Sequence, residues 1–160
     1  LDQALMFRHP EFSPLPNYPQ KVRLLKSKNI QALADFDTPI FGANRSGLFQ
    51  ALLTDFPERG FAVYDASGDM AGYLFAQSQR LGPWTARSPQ DAEALLQAAL
   101  TLTFRGAPVA IAPEANTAGS DLLERYGFRH DFSNRHMQRG RSDIPGQRTA
   151  IYGETSFAIG

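Results

Sequence analysis

The stretch Leu81–Leu100, LGPWTARSPQDAEALLQAAL, constrains this chain more than any other. Leu81, Trp84 and Ala86 read as the end of an apolar strand, which breaks at Arg87-Ser88-Pro89-Gln90-Asp91. Ala92, Leu95, Leu96, Ala99 and Leu100 then fall at i, i+3, i+4, i+7 and i+8, one face of a helix. Ser88 has the side chain of an N-cap, Pro89 suits the first helical position, and Asp91 puts a carboxylate in the first turn. A strand feeding a helix in this way leaves unpaired amide N–H groups, and the positive end of the helix dipole, at the strand's end. With Arg87 beside them, the turn predicts a site for an anion, a pyrophosphate in the first place. A plain helix start carries the same signature, so a second feature is needed before the turn specifies a function.

Composition narrows the class. The 160 residues suffice for one domain with a hydrophobic core. Lys+Arg and Asp+Glu both number 16, which removes the basic excess expected of a nucleic-acid binder or a polybasic membrane anchor. No apolar run approaches the roughly 20 residues of a membrane-spanning helix. The N-terminal LDQALMFRHPEF carries charges and a proline where a signal peptide needs an apolar core. The absence of cysteine removes disulfides, thiolate metal ligands and a cysteine nucleophile, and a cytoplasmic location is expected. His130 and His136 share a strand face, but with His9 remote and no thiolates no metal site is expected. The chain starts at Leu1 rather than Met, as a fragment or processed chain would.

Residues 1–20 hold Pro10, Pro14, Pro16 and Pro19 and predict an extended arm or linker, with Ala4–Phe7 as a short strand before it. Residues 21–160 hold the domain. Strands are predicted at 21–25, 61–65, 70–78, into Trp84, at 108–112, 128–137 and 151–157. Helices are predicted at 29–36, 45–56, after Ser88, and at 116–126, the last closed by Gly127. Strands flank both later helices, so part of the sheet is expected to be parallel, in an α+β or α/β fold. Asp37 and Arg45 suit either an ion pair tying two helices or contact with a substrate; Trp84 suits a packed core or the wall of a cleft.

The second feature is Asn116-Thr-Ala-Gly-Ser-Asp-Leu122-Leu123-Glu-Arg-Tyr-Gly127-Phe128, which resembles the GNAT acetyltransferase pattern N-x-x-A-x-x-L-Y-x-x-x-G-F. The turn Arg87-x-x-Gln90-x-Ala92, followed by Leu95-Leu96, is similar to that family's R/Q-x-x-G-x-G/A loop and helix, with Gln90 in place of a glycine. Asp37-x-x-x-Phe41-Gly42-x-x-Arg45, Leu81-Gly82-Pro83-Trp84-x-Ala86 and Met137-x-x-Gly140 resemble the C-terminal domain of tandem-GNAT proteins of the YitH type, with His136 where an arginine is expected.

The resemblance implies a GNAT fold: a mixed sheet of about seven strands, flanking helices, and a V-shaped split between the family's fourth and fifth strands. In this chain those are the strands ending at Ala86 and spanning 108–112. It implies acetyl-CoA as cosubstrate, held by Trp84, Thr85 and Ala86 along its pantetheine arm, by Arg87, Ser88, Gln90, Asp91 and Ala92 at its pyrophosphate, and by Asn116. The acceptor is expected to be an amine of a small molecule or peptide, attacking in its neutral form with the help of a base. The family's usual proton donor, a tyrosine, falls at Leu123; Tyr126 and Ser120 lie three residues to either side, and no catalytic residue is assigned. Leu123 and Gln90 also suit a degenerate, non-catalytic GNAT module that binds CoA or a partner. Residues 1–20 would be the tail of a preceding GNAT domain, making that domain, or a second copy of the chain, the expected partner.

Overall fold

The structure is a computed structural model and describes residues 2–135 and 146–158. His136, the Met137–Gly140 motif and most of the expected 140–147 loop lie outside the described residues.

The best local signal is MAGYLFA, a strand without polar alternation, as expected when helices cover both faces of a sheet. It forms β4 (Met70–Ala76), buried at every position. β3 (Gly60–Tyr64) pairs with it antiparallel as a hairpin, and β5 (Arg80–Ala86) pairs on its other side. Beyond them lie the two-residue β2 (Arg23–Leu24) next to β3, and β6 (Val109–Pro113) next to β5. The β5–β6 pairing is parallel; the other pairs are antiparallel.

The N-terminal segment supplies more than an arm. β1 (Gln3–Arg8) lies inside the sheet, between β6 and β7 (Arg129–Arg135). The final strand, β8 (Ile151–Gly153), pairs with β5 and not with the far edge.

Helices cover both faces. α1 (Ile30–Phe41) and α2 (Ser46–Asp55) bury Leu33, Phe36, Ile40, Phe49 and Leu52 against Ala62, Tyr73 and Phe75. α3 (Pro89–Ala99) and α4 (Thr117–Arg125) bury Leu95, Leu96, Leu122 and Leu123 against Leu74, Leu81 and Trp84 on the opposite face. Tyr73 and Leu74 thus face different layers, as strand alternation requires.

α1 runs past Pro39, where the sequence predicts a break. A proline forfeits the hydrogen bond to the carbonyl four residues back, here that of exposed Asp35, and the buried stripe continues to Ile40. Gly42, at φ 95°, closes the helix by donating its N–H to Thr38 O at 2.8 Å.

Candidate active site

β5 and β6 pair only where the parallel ladder begins, Arg80 with Val109 and Leu81 with Ala110. Beyond that they diverge, the split expected of this fold. The split is occupied by the chain itself. β8 enters it with Gly153 opposite Trp84 and Ile151 opposite Thr85, and Glu154 N–H donates to Ile111 O of β6 at 2.7 Å.

Two glycines permit this approach. A Cβ on Gly153 would stand 2.7 Å from Leu81 O, and one on Gly82 would collide with Glu154 O. Side chains complete the seat. Asn116 Nδ2 donates to Ile151 O at 2.8 Å, Arg80 Nη1 to Thr155 O at 3.1 Å, and Gln77 Nε2 to the same oxygen at 3.2 Å. Arg148 bridges Glu154, at 3.1 Å, and Asp2.

A cavity of about 400 Å³ opens at the end of β5. Ala86, Arg87 and Pro89 line it from the α3 side, Asn116 and Thr117 from the α4 side, and Tyr152 from β8. Two helix N-termini therefore meet on one space. Tyr152 is 3% exposed and packs against Trp84 with ring centroids 5.3 Å apart. Burial raises its phenol above the ordinary value, and the charge of Asp91 adds to this.

The turn into α3 caps itself as its sequence predicts. Ser88 Oγ accepts Asp91 N–H at 3.1 Å and donates to Asp91 Oδ2 at 2.7 Å. Ala92 N–H donates to Ser88 O at 3.0 Å, and Arg87 N–H to Ala71 O at 2.9 Å. Pro89 has no N–H. Among the described residues the turn thus offers an anion the amides of Ser88 and Gln90, fewer than its five residues suggest. Asp91 also brings a carboxylate, which Lys21 Nζ meets at 3.1 Å. The Arg87 side chain, about half exposed, reaches Asp65 at 3.5 Å and lies over the Phe36 ring at 5.4 Å.

Asn116 is the N-cap of α4 as well as an anchor for β8; its Oδ1 accepts Gly119 N–H at 2.9 Å. Trp84 is fully buried, and its indole N–H finds no acceptor among the described residues. Thr85 faces the other layer and donates to Tyr73 OH at 3.3 Å. Leu123 is buried in the α3–α4 core. Tyr126 is turned to α3, donating to Glu93 Oε1 at 2.8 Å and accepting from Gln97 Nε2 at 2.6 Å. Burial and Glu93 raise its phenol, which stands away from the split. Ser120 lies on α4, half buried.

Asp37 and Arg45 form an ion pair. The carboxylate, with no exposed surface, accepts from Arg45 Nε and Nη2 at 2.9 Å each and from Tyr73 OH at 2.6 Å. Arg45 stacks 3.6 Å above the Phe41 ring and reaches Thr155 Oγ1 at 3.4 Å. Burial pushes the Tyr73 phenol well above its ordinary value; Arg45 pulls it back and Asp37 pushes it further up. The cluster joins α1, the start of α2 and β4 to the segment after β8. Sequence reading missed both Tyr73 and Tyr152; the available signals were the polar tyrosine in an apolar strand and the glycine after Tyr152, which permits close approach.

The model of the acetyltransferase (GNAT) domain family matches residues 33–153. The chain belongs to the GNAT family. No curated protein matches this GNAT domain significantly. Among solved structures, a Pyrococcus horikoshii protein assigned as an acetyltransferase aligns with a TM-score of 0.77 and 19% identity, over 100% of this chain and 52% of its own. A GNAT-family acetyltransferase from Colwellia psychrerythraea gives 0.61 at 14% identity, over 81% of this chain and 53% of its own. An N-acetyltransferase from Sphaerobacter thermophilus gives 0.60 at 16% identity, over 83% and 50%. At such identities the likeness concerns the fold, and the GNAT domain spans about half the length of each of these proteins. Among the described residues no helix is long and apolar enough to cross a membrane, and no three His, Cys, Asp or Glu side chains cluster as metal ligands would.

Proposed function

We propose that this GNAT domain is an acetyl-CoA-dependent N-acetyltransferase acting on an amine of a small molecule or peptide. The observation that carries the reading is the cavity at the end of β5, where the N-termini of α3 and α4 converge beside Arg87. Two positive dipole ends and a guanidinium favour a polyanion such as a pyrophosphate. The amides of Ser88 and Gln90 and the Arg87 side chain would hold that group, and Trp84–Ala86 the pantetheine arm. Bound acetyl-CoA supplies an activated thioester. The domain's part is to bind and orient it, to admit a neutral amine and to keep the site dry. With Leu123 in the core and Tyr126 tied to α3, no side chain is assigned as proton donor. The setting we infer is cytoplasmic, with an adjacent GNAT domain or a second copy as partner.

Calorimetric titration with acetyl-CoA tests the reading, followed by a thiol-release assay over a panel of amines. The chain has no cysteine, so free CoA is detected without protein background. Absence of heat and of thermal shift at millimolar acetyl-CoA would refute the reading. A second reading, a non-catalytic module that binds CoA or a partner, is favoured by Leu123 and by the strand lodged in the split. Turnover of any amine by this domain alone would exclude it.

A further inference from the structure

We propose that the segment Ile151–Thr155 is a displaceable occupant of the acyl-CoA channel, so that acetyl-CoA and the chain's own last strand compete for one edge of β5. The inference rests on the CoA reading above.

An edge strand offers one row of N–H and C=O groups, and a neighbour occupies that row from about 4.8 Å away. At Trp84 and Thr85 that row is taken by Gly153 and Ile151. The opposite wall of the split is engaged as well, through Glu154 N–H to Ile111 O. A pantetheine arm lying along Trp84–Ala86 therefore cannot share the split with β8. The cavity beyond Ala86 stays open, so the phosphate end of the ligand meets no such barrier.

The seat is built for the strand. Gly82 and Gly153 both lack the Cβ that would collide across it, and Asn116, Arg80 and Gln77 each donate to a β8-segment carbonyl. The strand is short, three residues, although Ile151 and Tyr152 are buried at 7% and 3% exposure. Opening so short an element locally costs less than unfolding the whole domain. Release would also withdraw Thr155 from Arg45 and Tyr152 from Trp84. The Arg45 cluster on one face of the sheet and Trp84 on the other would therefore be uncovered in one movement. A ligand that binds only the open form has its affinity reduced by the fraction of molecules that are open.

Hydrogen exchange with mass spectrometry on the unmodified chain reads this directly, with two probes: acetyl-CoA, and 3′-phosphoadenosine 5′-diphosphate, which lacks the pantetheine arm. Acetyl-CoA is expected to strip protection from the peptide covering 151–155 while protecting the turn at 87–92. The diphosphate is expected to protect the turn and leave 151–155 unchanged. Gly153→Val, whose side chain would meet Leu81 O, should tighten acetyl-CoA binding by about tenfold or more and leave the diphosphate's affinity unaltered. Calorimetric binding of acetyl-CoA with 151–155 as protected as before overturns the competition and leaves the proposed function standing. If neither the unmodified chain nor Gly153→Val binds either probe, the CoA reading fails and the inference with it.

Discussion

Replacing Asp37 by alanine removes the centre of a buried polar cluster. Its carboxylate has no exposed surface and accepts three hydrogen bonds, at 2.9, 2.9 and 2.6 Å. Without it, Arg45 keeps its charge with its side chain only 9% exposed, and the Tyr73 hydroxyl loses its acceptor. Removing one partner of a buried ion pair costs about 3–5 kcal/mol, chiefly through the uncompensated charge left behind. Stacking on Phe41 relieves part of this, so we expect about 3–4 kcal/mol. For a chain of this size that lowers Tm by about 10 °C. Arg45→Met alone leaves the carboxylate stranded and should cost about as much. The double substitution Asp37→Ala/Arg45→Met removes both charges and fills the arginine's volume, so it should lie only about 1–2 kcal/mol below the parent. Urea denaturation at pH 7, read by circular dichroism with the m-value checked for constancy, measures all three. Simple additivity of the two single losses, or an Asp37→Ala cost under about 1 kcal/mol, would refute the reasoning.

Other tests bear on the same regions. Arg87→Ala loses an exposed contact with Asp65 at 3.5 Å and a position 5.4 Å over the Phe36 ring, so stability should change by about 1 kcal/mol while acetyl-CoA affinity falls about tenfold in calorimetry. Ser88→Ala removes the α3 cap and should cost about 1 kcal/mol in urea denaturation. The phenols of Tyr64, Tyr73, Tyr126 and Tyr152 are all raised, with burial the leading cause in each. A phenol whose folded value lies above its unfolded value of about 10 contributes stability that is complete below that pH and lost as pH rises beyond it. The urea midpoint should therefore fall from about pH 10 upward, and Tyr73→Phe should flatten that fall.

How much of this was legible follows from how far each physical signal reaches. A cap acts over three or four residues, and so Ser88 and Asn116 mark the starts of α3 and α4 in the sequence and in the structure alike. Burial on two faces leaves a continuous apolar run, and so β4 declares itself. Asp37 and Arg45 stand eight residues apart, close enough for an ion pair to be among the readings; that it is buried under Tyr73 was beyond reach. The anion turn shows the same boundary: its cap was legible, but which amides the cap consumes depends on where Ser88 Oγ points.

The sequence by itself marked most of the elements, the capped turn after β5 and the apolar residue at 123. The tertiary structure alone decided which strands are neighbours. Gln3–Arg8 lies between strands more than a hundred residues further along the chain, and Ile151–Gly153 fills the gap that β5 and β6 leave between them. The reason is that backbone pairing carries no residue code. An open edge presents the same donors and acceptors to any extended segment, and the choice among segments falls to shape, here to Gly82 and Gly153, whose missing side chains let β8 close on β5.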